Sequence, residues 1–122
     1  MNKKIQNNGL KKYRQQRPWG DFEQFTKAQP VTVKILTVKP FHAISLQYHR
    51  NRSEFWKVIN GRGKVTVGEA VQDAIEGDEF FVPKGRKHRI ETGASEIKIM
   101  EISSGDFDEN DIVRLEDRYN RI

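Results

Sequence analysis

The chain has 122 residues, 35% of them hydrophobic, no cysteine and a formal net charge of +5. That length suits one domain able to bury a core without staples, and the missing cysteines exclude disulfides, thiolate metal sites and a cysteine nucleophile. No apolar run reaches the ~20 residues a membrane span needs, and Met1 to Leu10 is polar rather than signal-like, so a soluble cytoplasmic protein with no membrane partner is expected.

Residues 1–16 are read as a basic N-terminal arm or edge element, with Lys3, Lys4, Lys11, Lys12 and Arg14, and residues 17–122 as the single domain. The basic arm lacks interleaved aromatics and no helix-turn-helix pattern follows it, which argues against a nucleic-acid partner. From Trp19 onward short β-prone runs follow one another: 21–26, 31–38, 43–49, 54–59, 64–67, 70–75, 79–82, 87–91 and 96–103. Turns are expected at Asn60-Gly61, as a tight hairpin, and at Glu76-Gly77-Asp78, Pro83-Lys84-Gly85 and Thr92-Gly93. Many strands without a long helix between them indicate an all-β antiparallel sandwich or barrel, because parallel crossovers would need helices. The tail from Asp106 is expected to form a helical turn or a strap.

Strand alternation sends Gln47 and His49 to one face, and pairing across the turn Arg50 to Ser53 would bring Glu54 to them. His88 arrives from a separate hairpin. Two imidazoles, a carboxylate and an amide form a nitrogen and oxygen set suited to one divalent ion, zinc first, with manganese, cobalt, nickel or iron as alternatives. Each residue taken singly also has a plainer reading as an ordinary polar strand residue.

The spacing Gln47-x-His49, four residues, Glu54, six residues, Gly61, followed by Gly77, five residues, Pro83-x-Gly85, two residues, His88, resembles the two signature motifs of the cupin superfamily. The fold so implied is a double-stranded β-helix, a jelly-roll barrel with a short C-terminal strap, holding a metal through those four residues. Ser45-Leu46-Gln47-Tyr48-His49 with Arg52-Ser53-Glu54-Phe55-Trp56 is similar to the signature of type II phosphomannose isomerases, the cupin domains often fused behind a mannose-1-phosphate guanylyltransferase. Arg17-Pro18-Trp19-Gly20, Ser104-Gly105-Asp106-Phe107 and the closing Asp111-Ile112-Val113-Arg114-x-Glu116-Asp117-Arg118-Tyr119 extend the resemblance over about residues 17–121. Arg50, Asn51 and Phe55 stand where it expects histidines, Ala43 where it expects a basic residue, and Asn120 where it expects glycine.

The resemblance implies metal-dependent interconversion of mannose 6-phosphate and fructose 6-phosphate through a cis-enediol. A proton must then shuttle between two carbons, and the candidate bases are Glu101, with Lys84 and Lys87 behind it. Candidate anchors for the sugar phosphate are Arg118 first, then Arg114, Arg89 and Arg52, because a guanidinium matches a phosphate with two parallel donors. The chain has no room for a guanylyltransferase domain. A homodimer is expected. Two other readings stand beside the isomerase: a non-catalytic metal- or sugar-binding cupin linked to polysaccharide synthesis, and a small-molecule metal cupin dioxygenase.

Overall fold

The computed structural model describes residues 12–122, so most of the basic arm, residues 1–11, lies outside the described residues. Ten strands follow in order: β1 Tyr13–Arg17, β2 Gly20–Gln24, β3 Val31–Val38, β4 Leu46–Tyr48, β5 Arg52–Val67, β6 Ala70–Ile75, β7 Glu79–Val82, β8 His88–Glu91, β9 Ile97–Gly105 and β10 Val113–Glu116. No helix occurs among the described residues, and so none there is long and apolar enough to cross a membrane.

β5 is the spine, because it belongs to both layers of the barrel. Its first half pairs with β9 and β7, and β9 in turn with β3; its second half pairs with β6 and β8, and β8 leads on to β4 and β10. The expected hairpin at Asn60-Gly61 is therefore absent. The chain runs straight through as one strand of 16 residues, with the register to β9 shifting between Val58 and Asn60 and Gly61 at φ +78°. A left-handed glycine that would serve a two-residue turn serves here a bulge that bends one strand from one sheet into the other. Any Cβ at Gly61 would run into the Glu96 carbonyl oxygen.

Alternation along these strands fills the barrel. Trp56 and Val58 from β5, Phe80 and Val82 from β7, Ile90 from β8, and Ile97 and Ile99 from β9 form the core with Val65, Val67, Val38 and Ala74. Burying side chains of this kind contributes about 1.5–3 kcal/mol each, so β-branched and aromatic residues in register supply most of the fold's stability.

The N-terminal hairpin lies outside this barrel. Arg17 pairs with Gly20 and Tyr13 with Gln24, so residues 13–16, grouped with the arm in the sequence, are strand. The hairpin is fastened by Lys12 and Lys57, both bonded to Glu23 at 2.9 Å, by Lys12 to Glu79 at 2.6 Å, and by Phe25 resting on Phe55 at 5.7 Å between ring centroids. The tail is not helical: it packs on the barrel as the strap the sequence allowed, and its residues 113–116 add β10 to the edge of β4.

Candidate metal centre

The cluster draws on three strands that meet inside the barrel. β4 delivers Gln47 and, one residue past its end, His49; the start of β8 delivers His88; and the start of β5 delivers Glu54. Gln47 faces His88 directly in the β4 to β8 register. β4 and β5 do not pair with each other, so the convergence comes from the two sheets facing across the interior and not from the hairpin that the sequence suggested.

His49, Glu54 and His88 are each about 2% exposed or less, and their ligand atoms all lie within 4.8 Å of one another. His49 Nε2 stands 3.4 Å from one Glu54 oxygen and His88 Nε2 3.7 Å from the other. Both imidazoles are oriented by their other nitrogen: His49 Nδ1 donates to the Asp111 carbonyl at 2.7 Å and His88 Nδ1 to the Arg86 carbonyl at 3.0 Å. This fixes the tautomer and leaves the two Nε2 lone pairs turned inward, which is how metal-binding histidines are held.

His88 Nε2 is buried with no hydrogen-bond partner among the described residues. A buried acceptor left unpaired costs free energy, and a ligand or ion at that point removes the cost. Burial also pushes the His88 pKa down, against the raising influence of Glu54, so the ring is neutral and able to coordinate. The donor set fits a divalent ion.

Gln47 sits beside this set, its amide nitrogen 3.3 Å from His49 Nε2 and its amide oxygen accepting from the Ser45 hydroxyl at 2.6 Å. An amide binds metal through oxygen, so coordination by Gln47 requires the amide to turn over. Ser45 permits this because a hydroxyl can donate or accept.

Arg52 and Glu54 form a buried pair at 3.1 Å, and the same guanidinium donates to His49 Nε2 at 3.2 Å and to the Asp108 carbonyl at 3.1 Å. It lies over the Phe107 ring at 4.7 Å, and Lys34 lies at the same distance from that ring while bonding Glu109 at 2.6 Å. Trp56 Nε1 donates to the other Glu54 oxygen at 3.1 Å. Residues 106–112 thus strap the end of the barrel beside the cluster.

Glu101 is 5% exposed and pairs in register with Trp56, so it shares the interior face of Glu54. Among the described residues its side-chain hydrogen bond is from the Ser103 hydroxyl at 3.2 Å. Burial above all, with the Glu54 charge second, pushes its pKa up to about 7, against Lys34, Ser103 and Arg52. Arg114 pairs with Gln47 in register, and its Nε is buried without a partner among the described residues.

Three of the remaining candidates are occupied elsewhere. Arg118 faces Glu91 at 3.8 Å, Arg89 holds the Ile44 and Glu116 carbonyls at 3.1 and 3.4 Å, and Lys87 pairs with Glu69 at 3.2 Å. Lys84 is exposed in the turn after β7. Ser45, Lys34, Phe107 and Asp111 were not among the candidate site residues; Ser45, Phe107 and Asp111 lay within the resembling stretches, whereas Lys34 carried no signal. Phe55 belongs to the opposite face of β5, against Phe81, Ile102 and Phe25, and Arg50 is exposed over Tyr48. These departures from the expected histidines therefore leave the inward-facing set intact.

Residues 4–117 match the family described as Mannose-6-phosphate isomerase C-terminal. The xanthan biosynthesis protein XanB of Xanthomonas campestris is 40% identical over 107 residues, covering 86% of this chain and 23% of that protein. The mannose-1-phosphate guanylyltransferase ManC of Salmonella typhimurium is 36% identical over 108 residues, covering 87% and 22% respectively. The chain thus spans about a quarter of the length of these curated relatives. Among solved structures, oxalate decarboxylase from Bacillus subtilis superposes with a TM-score of 0.65 at 23% identity, over 72% of this chain and 24% of that one. A cupin 2 conserved barrel domain protein from Rhodopseudomonas palustris gives 0.61 at 19% identity, over 84% and 76%. At such identities these likenesses show the fold, a cupin barrel.

Proposed function

We propose, for a chain that belongs to the Mannose-6-phosphate isomerase C-terminal family, that the barrel interior is a metal-dependent site interconverting mannose 6-phosphate and fructose 6-phosphate. The observation that carries this reading is the inward convergence of both imidazole Nε2 atoms on the Glu54 carboxylate, beside a second buried carboxyl group, Glu101, with which no cation among the described residues pairs directly. A divalent ion held by His49, Glu54 and His88, with Gln47 as fourth ligand, supplies Lewis-acid polarisation of the sugar carbonyl.

Glu101 then has the work of proton transfer. It removes the proton from C2 of the aldose and returns it to C1, while a hydroxyl proton passes from O2 to O1, so the sugar leaves with the same atoms it brought. A carboxyl group with a pKa near neutrality suits both halves of that exchange. Arg114, with its buried unpartnered Nε, is the better anchor for the phosphate than Arg118, whose guanidinium lies against Glu91. Arg52 is already bonded to Glu54 and His49, so it balances the carboxylate's charge and leaves little capacity for a phosphate.

The binding-module reading is kept because one relative is named for xanthan biosynthesis and a cupin can hold a sugar phosphate without turning it over. The dioxygenase reading finds no such support. Solvent deuterium separates the first two. Protein loaded with zinc, manganese or cobalt and given mannose 6-phosphate should wash deuterium into C1 and C2 and form the ketose, and Glu101→Gln should do neither while keeping its metal. Binding without exchange in the parent protein would establish the non-catalytic reading instead. A homodimer belongs to the same proposal, supported by Val33 and Ile35, 56% and 60% exposed on edge strand β3, and is checked by light scattering.

A further inference from the structure

The two imidazoles of the centre are oriented by different means. His88 takes its Nδ1 partner from Arg86, two residues earlier in the same turn, whereas His49 depends on Asp111, which lies 62 residues away in the strap. The contact with His49 is made by the Asp111 main chain. A carbonyl any residue could provide must therefore be held in place by something else.

The Asp111 side chain does the holding. One carboxylate oxygen accepts from the Arg50 N–H and the other from the Asn51 N–H, both at 2.9 Å. Asp106 N–H reaches the Asn51 carbonyl at 3.1 Å, and Asp111 N–H closes the strap's own turn on Asp108 at 3.0 Å. The two residues after His49 are thereby locked to the one residue whose carbonyl accepts from its ring. Charge-assisted bonds to backbone N–H groups are among the stronger hydrogen bonds, and here two act in parallel.

We propose that Asp111 is a positioning residue of the metal centre: its carboxylate bridges the Arg50 and Asn51 amides so that its carbonyl sets the ring orientation and tautomer of His49. The inference rests on the metal reading above. An asparagine at this place would keep one acceptor and turn a donor toward the other N–H, and an alanine would lose both bonds. Neither change removes a ligand.

Cobalt(II) titration of the parent protein, Asp111→Asn, Asp111→Ala and Asp117→Ala, followed by visible absorption, reads affinity and ligand geometry together. Asp117 is the reference because it clasps the tail through Arg121 at 2.7 Å and touches no ligand. Nitrogen-15 NMR of the imidazoles reads the tautomer of His49 in each folded variant. Expected are affinities weaker by about 10- to 100-fold in Asp111→Ala, in the range that loss of an orienting partner produces, a smaller loss in Asp111→Asn, altered cobalt bands, and a His49 ring no longer fixed as Nδ1–H.

Should Asp111→Ala fail to fold, the asparagine variant carries the test alone. Parent-like affinity and tautomer in the Asp111 variants would overturn the inference, as would an equal loss in Asp117→Ala or a loss of affinity with the His49 tautomer unchanged. If the parent itself bound no cobalt, the metal reading would fall and take this inference with it.

Discussion

A carboxyl group that titrates near neutrality can take a proton and give it back, and burial is what moves Glu101 there. Its pKa of about 7 reflects desolvation first and the Glu54 charge second. A divalent ion on Glu54 would cancel part of that second influence and lower the value. If Glu101 is the base, kcat/KM should therefore rise with pH through a limb at or below about 7, and Glu101→Gln should lack the limb; a pH profile with manganese checks this. Stability should run the other way. A carboxyl group whose folded pKa lies above its unfolded value stabilises below the unfolded value, near 4.5, and loses that contribution as pH climbs through 7. Glu101→Gln should accordingly exceed the parent in stability at pH 8, by up to about 3 kcal/mol, as read by urea unfolding of both without metal. The ligand residues were legible in the sequence because period-two alternation and fixed spacing place a side chain. The anchors were not, since a long arginine reports its partner only in three dimensions: Arg118 meets Glu91, whereas Arg114 keeps a buried donor free.

Strands are joined to one another by contacts of very different strength, and the N-terminal hairpin shows the weaker kind. β1 is exposed at every position, and a two-stranded hairpin has marginal stability of its own. Glu23 ties it to the barrel through Lys57, and Lys12 together with Lys57 pulls its pKa down to about 2. A depressed carboxyl pKa stabilises above the unfolded value and loses its effect as pH falls toward 2. Glu23→Gln should thus cost about 1 kcal/mol at pH 7, a difference that disappears in unfolding measured near pH 2. The bend in β5 is the stronger kind. Gly61→Ala would need a left-handed alanine pressed against the Glu96 carbonyl, so a loss of about 2–4 kcal/mol is expected by calorimetry. The sequence made β3, β6 and β7 readable to the residue, because each is a short β-prone run bounded by turn residues. It hid the continuity of β5, since Asn60-Gly61 reads as a hairpin and only the partner strands reveal a bulge. It hid β10 as well, whose four residues owe their strand form to the open edge of β4.

At the scale of the molecule the candidate centre lies where the two sheets face each other. His49 and His88 belong to the layer of β4 and β8, and Glu54 to the layer where β5 pairs with β7 and β9. An ion bound by all three would join the layers at a point remote in sequence, and binding to the folded chain alone stabilises it by mass action. At a free concentration one hundred times Kd that amounts to about 2.7 kcal/mol, which for a domain of this size raises Tm by roughly 10 °C. Zinc or manganese should therefore raise Tm, a chelator should reverse the rise, and the increment should grow with the logarithm of free metal. His88→Ala removes one ligand and fills its place with little, so its Tm should be nearly the same with metal and with chelator. The variant also loses the unpaired buried Nε2, whose cost the parent bears, so its metal-free stability should fall less than burial of the ring alone implies. Scanning calorimetry of parent and variant, each across a hundredfold range of free metal, decides the matter. A parent Tm indifferent to metal over that range would deny the ion its place between the sheets, and the inward-facing imidazoles would then need another occupant.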